Sequence, residues 1–356
     1  MGISPVSAGI NANYGLNAVE TTSAPQVKGP EALAQSGSEA VAQASSDAVS
    51  LGSAEPQPKK GFLNWLKDLV KTEVDGPSES YMDRTCRALD GILAKAQPGD
   101  IPDTMPQKAA PAPGEPTEYY IPGGGSHSGI SLPVPSHGVP SKESVADYHY
   151  ISQKDAISYY AEQGFSEKMS AVQKGVIKQY CGDAFGAMNG HLLNGQDNET
   201  GTIDKAVRCA AGALDKCAVP SGIVLNRCAS ASELLNYCDP KDYPKYKKFI
   251  ERGKTEKLAQ ILDQRLTGTQ STRKTFISTS VGDKADFIDT AKVTTKFYVG
   301  EGVKGVYVSA DADLAHFNGE KEYLLAPNTD TTVLGVEYNP ETKGITMHVF
   351  LGEKAE

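Results

Sequence analysis

No run of the 356 residues approaches the roughly 18 to 20 continuous apolar positions of a membrane-spanning helix, so no helical span is expected. The N-terminus has neither the basic opening nor the apolar core of a cleaved signal peptide, and classical secretion is not expected either. Met1-Gly2 begins like a myristoylation signal, but Val6 stands where that signal carries Ser or Thr. Positive charge is also short: 35 Lys and Arg face 44 Asp and Glu, for a net charge of -9. That balance argues against a general nucleic-acid binder, which attracts phosphates through a basic excess. The local run Lys245-Tyr246-Lys247-Lys248-Phe249 reads as a solvated face, with guidance of an acidic protein partner as its functional alternative. Cys86, Cys181, Cys209, Cys217, Cys228 and Cys238 form no C-x-x-C pair and no zinc-like grouping with the six histidines, so no metal site is expected. Several fall at apolar positions, which favours buried free thiols over bridges and fits a reducing compartment.

Apolar residues are thin at the N-terminus, where 26 of the first 60 residues are Gly, Ala or Ser. With little apolar surface to offset the entropy of ordering the backbone, 1–60 is expected to be a disordered leader. Ten of the 21 prolines fall between Pro98 and Pro140, which marks 98–148 as a linker, and Gly123-Gly124-Gly125 inside it is spacer rather than a nucleotide loop. Between leader and linker, Phe62, Trp65, Leu66, Leu69 and Val70 recur at helical spacing, followed by the stripe Met82, Cys86, Leu89 and Leu93. The segment 61–97 is therefore expected to be helical, its two stretches either docked on each other or serving as a chaperone-binding or membrane-surface element.

Residues 149–356 carry the patterning of a folded domain. Ser152 and Asp155 are placed to cap a first helix, and Ser170 with Gln173 forms a capping-box pattern ahead of Val172, Val176, Ile177 and Tyr180. Gly182-Asp183 should break that helix before Phe185, Met188 and Leu192, and a further helix is expected over 203–215. Strand-like runs follow at 222–228, 275–280, 292–299, 304–309, 320–325, 331–338 and 344–351, interrupted by a helix at 254–266 with Leu258, Ile261, Leu262 and Leu266 on one side. Helices first and strands later imply an α+β fold with a largely antiparallel sheet pair.

Three strand segments carry polar residues suited to chemistry. Arg227 ends the apolar run Gly222-Ile223-Val224-Leu225-Asn226, the run Phe276-Ile277-Ser278-Thr279-Ser280 presents alternating hydroxyls, and Glu320 and Glu322 flank Lys321 at the start of a later strand. Alternation along an extended chain would put both carboxylates on one side and both serines on one side. In this order and spacing the residues resemble the arginine-serine-glutamate branch of the mono-ADP-ribosyltransferases, the enzymes of binary toxins and several bacterial effectors. Resemblance runs from about Ile151 to the C-terminus and includes the stretch Ser170 to Gly195, with Tyr180, Asn189 and Leu192, which is similar to the paired helices preceding the arginine strand.

What that resemblance implies is a helical part and a sheet pair around an NAD cleft, with NAD as substrate. Breaking the bond between nicotinamide and ribose builds positive charge on the ribose, so a fixed anion nearby lowers the barrier. By the resemblance Glu322 is that anion, Glu320 orients or deprotonates the acceptor, and an acid at that position makes arginine the default acceptor, with threonine left open. Arg227 would clamp the dinucleotide through its planar fork of donors. Ser278 would fix Glu322, Thr279 would face away though it belongs to the NAD-binding motif, and Ser280 would support the site. Phe287 would stack on nicotinamide and Phe317 would recognise the protein substrate. Where many relatives place a phosphate-contacting arginine after Leu192, this chain has Leu193. His316 reads as a loop residue. The implied partner is a host protein such as a small GTPase, actin or ubiquitin. The low-complexity leader followed by an amphipathic helix is similar to effectors exported by type III secretion into the host cytoplasm, with a secretion chaperone as a second partner. NAD hydrolysis and a degenerate, purely binding fold are the rival readings.

Overall fold

Helices dominate the first part of the chain and strands the second in the computed structural model, which describes residues 81–106, 139–141, 144–283, 292–316 and 321–352. The leader 1–60, the first amphipathic stretch at 61–74 and most of the proline-rich segment lie outside the described residues.

Helix α1 (Tyr81–Leu93) packs the expected stripe, Met82, Cys86, Leu89 and Leu93, into the helical core. Leu89 is fully buried, a contribution of about 1.5–3 kcal/mol. Packing therefore does not change at residue 97, because α1 and the following turn belong to the same helical layer as the compact domain. Gln173 Nε2 donates to the Asp100 carbonyl at 3.0 Å, and Pro102 packs where a side chain on Gly212 would lie, 2.6 Å from its Cγ.

Helices α2 (Gln153–Glu162), α3 (Phe165–Lys168), α4 (Ala171–Gln179), α5 (Phe185–Asn194) and α6 (Thr202–Asp215) follow. Ser152 caps α2 through Asp155 N, and Ser170 with Gln173 closes a full capping box on α4. The expected break at Gly182-Asp183 is a π-turn (Tyr180–Ala184) whose non-helical Gly182 redirects the chain into α5. Helix α6 buries Ile203, Val207, Cys209 and Leu214 among its neighbours, which is why its sequence is nearly all small or apolar along that side.

Strands β1 (His149–Tyr150), β2 (Ile223–Ala229), β3 (Gln270–Arg273), β4 (Ile277–Ser280), β5 (Val293–Val299), β6 (Gly305–Tyr307), β7 (Glu322–Leu325), β8 (Thr329–Asn339) and β9 (Gly344–Leu351) run in the order β3-β8-β9-β5-β2-β4-β7-β6, with β1 beside β2. All neighbours are antiparallel except β1 with β2 and β5 with β9, and the architecture is α+β as expected. Strands β2 and β4 share the single registered pair Asn226 and Ser280, so two sheet halves meet at one narrow joint. Side-chain alternation sends Leu324 into the helical core and Tyr323 and Leu325 into a second core with Tyr246, Leu258 and Leu262 from α7 (Tyr243–Glu251) and α8 (Thr255–Leu266).

Strand β3 and helix α7 were not expected from the sequence. The strand is a polar edge without apolar alternation, and the helix has the sequence of a charged run because only Tyr246 of its nine residues is buried. No described helix is long and apolar enough to cross a membrane. All six cysteines are free thiols, three buried and three half-buried.

Candidate active site

The joint between β2 and β4 is where the polar residues gather. On the antiparallel pair of β4 and β7, Ser280 lies opposite Glu322 and Ser278 opposite Leu324, so both serines share the Glu322 face, with Ser278 one diagonal step away. Ser278 hydrogen-bonds the Glu322 carboxylate across that diagonal. Thr279 points to the other face, where it is buried and its Oγ1 donates to the Tyr323 carbonyl at 2.7 Å. It lies on the face away from Glu322.

Arg227 extends from β2 just past the one pair shared with β4. Its Nη1 donates to the Ser278 carbonyl at 2.7 Å and its Nε to Glu233 Oε2 at 3.1 Å. Glu233 sits in the 3₁₀ turn Ala231–Asn236 and also holds Arg273, whose Nη1 is 2.5 Å from Oε1. Burial alone would raise the Glu233 pKa, but the charges of Arg273 and Arg227 outweigh it and hold the carboxyl below its ordinary value. It is ionised at neutral pH.

Glu322 is in the opposite condition. Surrounding protein penalises its charge and pushes its pKa above the usual 4.5, while the Ser278 hydrogen bond, a Cys181 hydrogen bond and the Arg227 charge each pull it back. A recessed carboxylate whose charge is only partly compensated is well suited to meeting a developing cation.

A third side of the site comes from the helical layer. Tyr180, at the head of the π-turn, packs against Phe276 with ring centroids 4.9 Å apart. Asn189 Nδ2 donates to the Tyr180 hydroxyl at 3.0 Å, and its Oδ1 accepts from the Phe276 amide at 3.1 Å. Burial drives the Tyr180 pKa well up, so its hydroxyl stays neutral, and it shares a hydrogen bond with Ser278. Asn189, Tyr180, Ser278 and Glu322 thus form one hydrogen-bonded chain from helix to strand. His316 approaches from beyond, its ring so close to Gly182 that a Cβ there would lie 2.5 Å from Nδ1.

The structure therefore brings Arg227, Ser278, Ser280 and Glu322 together. Phe287, Phe317 and Glu320 lie outside the described residues. Leu193, at the end of α5, is 41 % exposed and offers no charge. Sequence reasoning placed Tyr180 and Asn189 on helices without giving them a place in the site, and it passed over Cys181, Glu233 and Arg273. The Gly182-Asp183 break was the one available signal for the first of these, since a helix that changes course does so where its neighbours need room. Among the described residues no group of three or more His, Cys, Asp or Glu could hold a metal ion.

Comparison with known proteins gives the family. Residues 152–349 match the family of ADP-ribosyltransferase exoenzymes. No curated protein matches the chain. Among solved structures, C3stau2 from S. aureus with NAD is 19 % identical, with a TM-score of 0.49 and coverage of 58 % of this chain and 98 % of that one. The Clostridium limosum C3 exoenzyme is 23 % identical, with a TM-score of 0.48 and coverage of 59 % and 100 %. The enzymatic component C2-I of the C2-toxin from Clostridium botulinum is 16 % identical, with a TM-score of 0.43 and coverage of 58 % and 48 %. The family match spans more than half of the 356 residues, so the chain belongs to the ADP-ribosyltransferase exoenzyme family and is an NAD-dependent ADP-ribosyltransferase.

Proposed function

We propose that the chain is a bacterial effector that cleaves NAD between nicotinamide and ribose and transfers the ADP-ribose to a side chain of a host protein, arginine by default. The observation that carries this reading is the meeting of Arg227, Ser278 and Glu322 at the joint of the two sheet halves, with Glu322 recessed and its charge incompletely offset. As the bond from ribose C1′ to the nicotinamide nitrogen breaks, nicotinamide leaves with the bonding pair and positive charge grows on the ribose. An ionised Glu322 stabilises that charge, and Ser278 and Cys181 hold the carboxylate in place, with Tyr180 bracing Ser278. Arg227 supplies donors and positive charge to the dinucleotide. The acceptor nitrogen then bonds to C1′ and gives up a proton, for which Glu320 is the assigned acceptor. Its position two residues before Glu322 supports this assignment, and an acid there favours arginine over other acceptors.

Thr279 takes no direct part on this reading, while Phe287 stacks on nicotinamide and Phe317 meets the host protein. The Gly-, Ala- and Ser-rich leader supports export by an unfolded route, and action in the host cytoplasm follows from it. A small GTPase, actin and ubiquitin are the candidate substrates.

Labelled NAD incubated with the chain and a host lysate tests the proposal. Protein-bound label that survives denaturation is expected, whereas release of free ADP-ribose with no labelled protein would make the chain an NAD glycohydrolase. Glu322→Gln should lower turnover by about 10²- to 10³-fold, the cost of removing one preorganised electrostatic group. It should also unfold at a higher temperature than the parent at neutral pH. The raised Glu322 pKa means that ionising it costs stability as pH rises through that pKa, and glutamine is spared that cost.

A further inference from the structure

Arg227 has a long side chain, 27 % exposed, and a guanidinium so placed samples many rotamers unless something fixes it. Glu233 is only 4 % exposed, and its Oε2 accepts both from Arg227 Nε at 3.1 Å and from Arg273 Nη2 at 3.3 Å. Arg273, the last residue of β3, is 6 % exposed and also donates to the Tyr237 hydroxyl at 3.2 Å. A buried ion pair is weak evidence for stability, because well-packed apolar residues of similar volume commonly serve as well or better. Here one carboxylate carries two guanidiniums, so Arg273 neutralises it and the surplus positive charge stays on Arg227, at the site. Glu233 occupies Nε and the Ser278 carbonyl one proton of Nη1, which leaves three of the five Arg227 N–H donors without a partner among the described residues.

We propose that Glu233 and Arg273 are positioning residues that hold the Arg227 guanidinium edge-on, so that its remaining donors meet the dinucleotide. This rests on the assignment of Arg227 to NAD.

The test is NAD hydrolysis by the full chain. In Glu233→Met/Arg273→Met the pair becomes apolar without leaving a buried charge, so the fold should persist by circular dichroism and thermal melting. The KM for NAD should rise roughly 10-fold or more with kcat changed much less, as expected when an oriented charge-assisted contact to substrate is lost. Glu233→Asp keeps the charge and the partnership with Arg273 but draws the carboxylate back by one methylene, and the same KM rise is expected of it. In an Arg227→Met background neither change should move KM further, an epistasis that a merely structural role would not produce. A folded double variant or Glu233→Asp with the parental KM overturns the proposal, as does full additivity with Arg227→Met. If Arg227→Met by itself leaves KM unchanged, the assignment of Arg227 to NAD fails instead.

Discussion

Ser278→Ala isolates a single hydroxyl. The contact from Ser278 to Arg227 runs through the main-chain oxygen, 2.7 Å from Nη1, so the substitution leaves the arginine anchored. What disappears is the hydrogen bond to Glu322, one of three influences that oppose the effect of burial on that carboxyl. Removing it must raise the Glu322 pKa further. If, as proposed, the ionised form stabilises the ribose cation, activity appears as pH rises through that pKa, and the acid limb of the NAD-hydrolysis profile should move to higher pH in the variant. A hydrogen bond to a charged group contributes about 1.5–3 kcal/mol, so kcat/KM on the plateau should fall roughly 10- to 100-fold. Tyr180 also loses a partner in its buried setting. That cost, about 1–3 kcal/mol, should lower the melting temperature by several degrees for a domain of this size.

The assay is initial-rate NAD hydrolysis across the acid range for parent, Ser278→Ala and Ser278→Thr, with melting temperatures alongside. Threonine keeps the hydroxyl and should return the limb toward its parental position. An unmoved or acid-shifted limb in a folded Ser278→Ala would refute the argument that this hydroxyl keeps Glu322 ionised.

Asp311 accepts from Lys174 Nζ at 2.9 Å, Tyr160 at 2.9 Å and Ser166 at 3.0 Å, and ties the start of the segment 311–316 to α2, α3 and α4. Burial would raise its pKa, but Lys174 and the other donors outweigh that and lower it from 3.8 to about 2, so the stability it contributes is present above pH 3.8 and lost as pH falls toward 2. Asp311→Asn should cost about 1–2 kcal/mol at neutral pH and flatten acid unfolding in that window, read by fluorescence-monitored melts; an unchanged pH dependence would count against this hub. Gly182→Ala should displace the His316 ring, 2.5 Å from the added methyl, and His316 directly precedes Phe317 and lies four residues before Glu320 in the sequence. Transfer to protein should then fall by up to about 10²-fold while NAD hydrolysis falls much less, whereas an equal fall in both would show that the contact serves Glu322 and not the acceptor.

How much of this could be read from the amino acids depended on whether a residue's partner was near in sequence. Ser170 and Gln173 announced their capping box because both ends of the interaction lie three residues apart, and the strands from β5 to β9 announced themselves as short β-type runs bounded by Gly, Pro, Asn and Asp turns. Arg227, Ser278 and Glu322 could be placed only through resemblance, since nothing local says that segments some 50 residues apart share a cleft. Glu233 shows where such reading stops. In Ser230-Ala231-Ser232-Glu233 it has the appearance of an exposed turn carboxylate, and Arg273 has that of the polar end of a weak strand. The fold puts one on top of the other, 40 residues apart, and the low dielectric around them makes each necessary to the other. Arg227 inherits its geometry from that pair. The family's three motif segments name the groups proposed to meet NAD, while the two residues that anchor the arginine carry no motif, and sequence reading passes over such residues for that reason.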